Sequence, residues 1–93
     1  MVIAQLNTMG MYVFPDGKRL ILNHYAPAGN DDNLLLCDAY NRRLWGVCNV
    51  YRPGGVTMVY INDDGTFTFY TFYGVAYQID YRTLAVVGQT IGK

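Results

Sequence analysis

The chain carries one pattern twice. Residues 11–50 read Met11-Tyr12-Val13-Phe14, Pro15-Asp16-Gly17, Arg19-Leu20-Ile21-Leu22, Leu34-Leu35-Leu36-Cys37-Asp38 and Leu44-Trp45-Gly46-Val47. Residues 56–91 follow with Met58-Val59-Tyr60-Ile61, Asp63-Asp64-Gly65, Phe67-Thr68-Phe69-Tyr70, Ala76-Tyr77-Gln78-Ile79-Asp80 and Leu84-Ala85-Val86-Val87-Gly88. The offset between matching residues is 48 from Asp16 to Asp64, 42 from Asp38 to Asp80 and 40 from Leu44 to Leu84. Loop-length changes between two copies of one unit produce such steps. On this alignment the last turn of the first unit, Asp38 to Arg43, is two residues longer than that of the second. Each unit holds four short strand-like runs, and the chain has only two units in which to bury them.

Composition supports strands throughout. The chain has no Glu, no Ser and only Lys18 and Lys93 as lysines, while hydrophobic residues make up 52% and aromatics 15%. Helix-surface residues are scarce and strand formers abundant, so no α-helix is expected. The predicted strands are Met11 to Phe14, Lys18 to Tyr25, Leu34 to Ala39 and Leu44 to Val50, then Val56 to Ile61, Thr66 to Tyr73, Val75 to Tyr81 and Leu84 to Ile91. A short additional strand is expected at Val2 to Leu6. Pro15-Asp16-Gly17 is a turn by mechanism: Pro fixes φ, Asp caps locally and Gly takes positive φ. The five-residue connection 51–55 is too short for an independent linker, so residues 1–93 read as a single domain.

The runs are apolar on both faces: Leu20 and Leu22 oppose Ile21, Leu34 and Leu36 oppose Leu35, and Phe67 and Phe69 oppose Tyr70 and Phe72. Such strands need cover on both sides. A repeat of four strands and about 40 residues is the size of one β-propeller blade, which is sandwiched between neighbours. The expectation is therefore an all-β chain of two four-stranded antiparallel blade-like repeats that completes a β-propeller by homo-oligomerisation, with a trimer favoured. A small β-sandwich or barrel is the alternative.

The strings Phe14-Pro15-Asp16-Gly17-Lys18-Arg19-Leu20 and Gln78-Ile79-Asp80-Tyr81-Arg82-Thr83-Leu84-Ala85-Val86-Val87-Gly88 resemble the repeat of the YVTN-type, lactonase-like β-propellers. In that family one hairpin of this kind joins the first two strands of a blade and the other joins the last two. The resemblance covers most of residues 11–91 and implies blade architecture; the motif residues are turn formers and imply no activity. By size and repeat count the chain also resembles small two-blade lectins whose subunits trimerise into a six-bladed propeller. No glycan-binding residue of theirs can be placed on it.

Chemistry-bearing residues are few. Net charge is zero, without the basic footprint of a nucleic-acid binder; the Arg42-Arg43 doublet reads as a solvated turn. No apolar run approaches the ~18 residues of a membrane span, and residues 1–10 lack the features of a signal peptide, so a cytoplasmic location is the default. His24 is the only histidine and there is no Ser, which is poor material for a nucleophile triad. The strings Asn30-Asp31-Asp32-Asn33 and Asn62-Asp63-Asp64-Gly65 are explained by turn chemistry, so no metal or other cofactor is expected. A hairpin turning at Asn41-Arg42 would set Cys37 opposite Gly46 and keep Cys37 and Cys48 reduced; a turn at Arg42-Arg43 would make the two cysteines face each other.

These features point to a non-enzymatic module that binds a glycan or another small ligand. The alternatives are a protein–protein interaction scaffold, including an engineered or fragmentary propeller, and a propeller-type hydrolase. A ligand site is expected on the long loop and the inter-unit connection, from His24, Tyr25, Asp31, Asp32, Tyr51 and Arg52, because extra length on a rigid scaffold is where binding residues collect.

Overall fold

A computed structural model describes residues 2–24, 32–52 and 54–91. The strands are β1 (Val2–Asn7), β2 (Gly10–Val13), β3 (Arg19–Leu22), β4 (Leu34–Cys37), β5 (Arg43–Gly46), β6 (Val56–Asn62), β7 (Thr66–Thr71), β8 (Val75–Asp80) and β9 (Val86–Ile91). There is no α-helix among the described residues. Two antiparallel sheets form, one of four strands in the order β2-β3-β4-β5 and one of five in the order β1-β6-β7-β8-β9. The expected eight strands of the two units are all present. The added N-terminal strand joins the second unit, antiparallel to β6, which makes that sheet five-stranded.

One core holds the two sheets together. Phe14, Leu20, Leu22, Leu34, Leu36, Trp45 and Val47 from the first unit meet Val56, Val59, Ile61, Phe67, Phe69 and Ile79 from the second. Trp45 packs edge-on against Phe67 at 5.5 Å between ring centroids, and Phe14 stacks on Tyr81 at 4.0 Å. Burying side chains of this size contributes roughly 1.5–3 kcal/mol each.

The first hairpin of each unit is the same object. Gly17 and Gly65 both adopt positive φ, +92° and +84°. Asp16 and Asp64 accept from the backbone N–H two residues on, Lys18 and Thr66, each at 3.1 Å. Tyr12 pairs with Leu20 as Tyr60 pairs with Thr68, so the offset of 48 holds along both strands of this hairpin. Leu36 faces Leu20 as Gln78 faces Thr68, which gives 42 for the third strand.

The fourth strand corrects the sequence alignment. Leu36 pairs with Trp45 and Gln78 with Gly88, so Trp45 matches Gly88 at an offset of 43, not 40. The last turn of the second unit is the longer one. Its closing bond runs from the Asp80 N–H to Ala85 O, against Asp38 N–H to Arg42 O in the first unit. The cause is local. The Asp80 carboxylate accepts the N–H groups of Arg82 and Thr83, and the turn runs on to Leu84, which takes φ of 64°. Leu84 therefore belongs to the turn, and its likeness to Leu44 carries hydrophobicity without register.

Two further expectations change. The turn Ala39–Asn41, with Asn41 at φ 65°, sets Cys37 opposite Arg43 across a bulge, so neither anticipated register forms. Cys37 and Cys48 are not joined by a disulfide. Residues Val47–Asn49 form a 3-10 turn where strand had been expected. Side chains take the N–H groups a ladder would use: Asn49 Oδ1 accepts from Gly46 and Asp32 Oδ1 accepts from Cys48.

Candidate functional site

Every residue of the sequence-derived site that is described lies at one end of the molecule. β3 ends and β4 begins there, β5 runs into its 3-10 turn there, and β6 departs from there. Asn33 ties these pieces together. Its Nδ2 donates to Asn23 O at 3.0 Å and Val56 O at 2.9 Å, while its Oδ1 accepts from the Val56 N–H at 2.8 Å. The side chain is almost fully buried, so each bond replaces one that water would otherwise supply. Sequence reasoning saw Asn33 only as part of an oxygen-rich loop.

His24 and Arg52 are exposed at this end, and Tyr51 is half-buried with its ring 5.9 Å from that of Tyr77. Asp32 is engaged within the chain: besides the Cys48 N–H it holds Arg43 Nη2 at 3.1 Å. Arg43 also donates to Asn49 Oδ1 at 2.9 Å. This cluster lies against Gly46, where a Cβ would come within 2.6 Å of Asp32 Oδ2, so a larger residue there would push the Asp32 and Arg43 side-chain ends aside. Tyr25 and Asp31 lie outside the described residues. Arg43 and Asn49 read in the sequence as turn and strand, with no signal that they meet Asp32; Phe72 and Tyr73, which end a predicted strand, are strongly exposed at the same end.

The opposite end is turn chemistry. Arg42 is not merely solvated: its Nε lies 2.6 Å from Asp38 Oδ2 and its guanidinium 5.5 Å from the Tyr40 ring centroid. The carboxyls of Asp38 and Asp80 are held below the ordinary aspartate range chiefly by backbone N–H donors, Arg42 for the first and Arg82 and Thr83 for the second. The Thr66 hydroxyl, at 2.6 Å, does the same for Asp64. Hydrogen bonds to a carboxylate favour the charged form. Among the described residues no three His, Cys or Asp side chains converge as metal ligands, and no helix is long and apolar enough to cross a membrane.

The two sheets also present large open faces. On the four-stranded sheet Met11 and Val13 are 56% and 51% exposed, with Ile21, Leu35 and Leu44 around them. On the five-stranded sheet a hollow of about 490 Å3 is lined by Met58, Thr68, Tyr70, Ala76, Gln78 and Gly88, among others. A polar layer borders it through Thr68 and Gln78: Asn62 Nδ2 donates to the hydroxyls of Thr66 and Thr68, and Gln78 Nε2 donates to that of Thr66.

Applying the corrected offsets gives these faces a meaning. Met11 and Val13 match Val59 and Ile61, which are 0% and 1% exposed. Ile21 matches Phe69, and Arg19 matches Phe67. Conversely, the fully buried Leu20, Leu22, Leu34 and Leu36 match Thr68, Tyr70, Ala76 and Gln78, which line the hollow. The two units share their first hairpin and bury opposite faces. Compared with protein-family models, with curated proteins and with solved structures, the chain finds no match.

Proposed function

We propose that the chain is a non-enzymatic binding module whose working form is a ring of copies, each contributing two blades to a closed β-propeller. Three copies give six blades. The observation that supports this reading is the change of buried face between matching strands. Two units related by a local two-fold axis would hide the same positions. In a ring each blade turns its front to one neighbour and its back to the other, so consecutive blades hide opposite positions at their shared boundary. A chain of two blades is then left with one open front and one open back, and a head-to-tail contact repeats until it closes.

The ligand of such a ring is a glycan or another small molecule, taken by the loop end. His24, Arg52, Phe72 and Tyr73 are exposed there, and Tyr25 and Asp31, next in sequence to His24 and Asp32, are the further candidates. Amphipathic rings of this kind suit stacking on a sugar while a hydroxyl or guanidinium binds its oxygens. Native mass spectrometry and light scattering at micromolar concentration test the assembly, with a trimer expected. A compact 10.5 kDa species across that range would remove the reading. A glycan array on the assembled protein then tests the ligand class; a folded ring that retains no glycan would favour the protein-interaction scaffold.

A further inference from the structure

We infer that the two open faces are the two halves of one interface between copies, and that Arg19 of one copy enters the hollow at Gly88 of the next. This deepens the ring reading and rests on it. Within the chain, Trp45 and Phe14 stand over Phe67, at 5.5 and 6.5 Å between centroids. The residues matching this trio are Gly88 and Asn62 on one open face and Arg19 on the other. An aromatic cluster in the covered interface thus becomes glycine, amide and guanidinium at the open one. The changes compensate. Removing the indole at Gly88 leaves room for a long side chain, and Arg19 is the long side chain that arrives when one copy stacks on the next as its own two units stack.

The hollow is chemically fitted to a guanidinium. A Cβ built on Gly88 would lie 3.1 Å from Gln78 Oε1, so that acceptor borders the space. The Gln78 amide nitrogen donates to the Thr66 hydroxyl, which leaves its oxygen on the Gly88 side. Arg19 uses Nη1 for Asn41 Oδ1 at 2.8 Å, and a guanidinium has further donors for Gln78 and Asn62. Around this contact Met11, Val13, Ile21 and Leu35 meet Met58, Tyr60, Tyr70 and Ala76, an apolar rim continuous with the covered interface in kind. The molecule measures 31 × 27 × 21 Å. Its two longer extents bound a face of the order of the ~800 Å2 per partner that a stable association buries.

The experiment measures mass by native mass spectrometry on the full chain, with thermal melts to confirm folding. R19E is expected to raise the dissociation constant at least about tenfold, since it replaces the guanidinium donors with a carboxylate set against the Gln78 and Asn62 oxygens, which can only accept. R19E/Q78R is expected to restore assembly, and Gly88→Trp, which fills the hollow, to abolish it. Asn41→Gly, which deletes the in-chain partner of Arg19 while tolerating the positive φ, should leave assembly intact. Folded R19E that still assembles, or R19E/Q78R that fails to recover, overturns the interface while the ring reading stands. A wild-type chain that is monomeric overturns the ring reading itself. Should Gly88→Trp fail to fold, the Arg19 and Gln78 variants decide the matter.

Discussion

Phe69 and Ile21 occupy matching positions in β7 and β3, yet Phe69 is fully buried while Ile21 is half open. Leu36 and Gln78 show the reverse: the leucine is sealed in the core and the glutamine lines a hollow. Local geometry is alike in the two sheets, with the same glycine turn and the same strand pairing. Environment differs because each sheet is covered on one side only, and the covered sides are not the matching ones. Backbone repeats are specified by turn residues, whereas burial is specified by what packs above.

The widest separation between the two regions should come from truncating this pair. Phe69→Ala removes a ring in contact with Trp45 and Tyr77 and should cost about 3–5 kcal/mol of chain stability by denaturant titration. Ile21→Ala should cost no more than about 1 kcal/mol in dilute monomer, its main effect falling on association. Equal losses in the isolated chain would mean that the open face is not open.

A middle-sized effect should be the same in both units. Gly17→Val and Gly65→Val each force a branched side chain to positive φ, with a Cβ 3.3 Å from Ala39 Cβ in one case and 3.1 Å from Arg82 Nη2 in the other. Each should lose roughly 1–3 kcal/mol. A silent substitution at one glycine beside a severe one at the other would break the equivalence at its firmest point.

The smallest expected effect is a shared acid sensitivity. The Asp38, Asp64 and Asp80 carboxyls all lie below the ordinary aspartate range in the folded chain. A depressed carboxyl contributes stability above its unfolded pKa and loses it as pH falls through its folded pKa, so the turns weaken only below about pH 4. All three groups are solvent-accessible, which keeps the loss modest. NMR titration of the three carboxyls should place each below a peptide aspartate. Asp38 and Asp80, held by backbone donors in both units, should move together; one of them titrating normally would separate the two turns.

The sequence by itself determined the all-β class, the strand count within the two units and both glycine turns. These rest on residues acting over a few positions: Pro15, Asp16 and Gly17 make their turn wherever the chain goes, and short runs of branched and aromatic residues such as Val56–Asn62 and Thr66–Thr71 favour extended backbone. The three-dimensional packing decided the rest. Leu84 resembles Leu44 but sits in a turn, because the Asp80 carboxylate gathers two N–H groups ahead of it. Asp32 looked free for a ligand, but Arg43 and the Cys48 N–H, 11 and 16 positions away, claim it. The strand β1 could be recognised, but its place beside β6 depended on a pairing more than fifty residues distant. Strands apolar on both sides can be covered on either, so only the packing of one sheet on the other chose which face of each would be hidden and which left open.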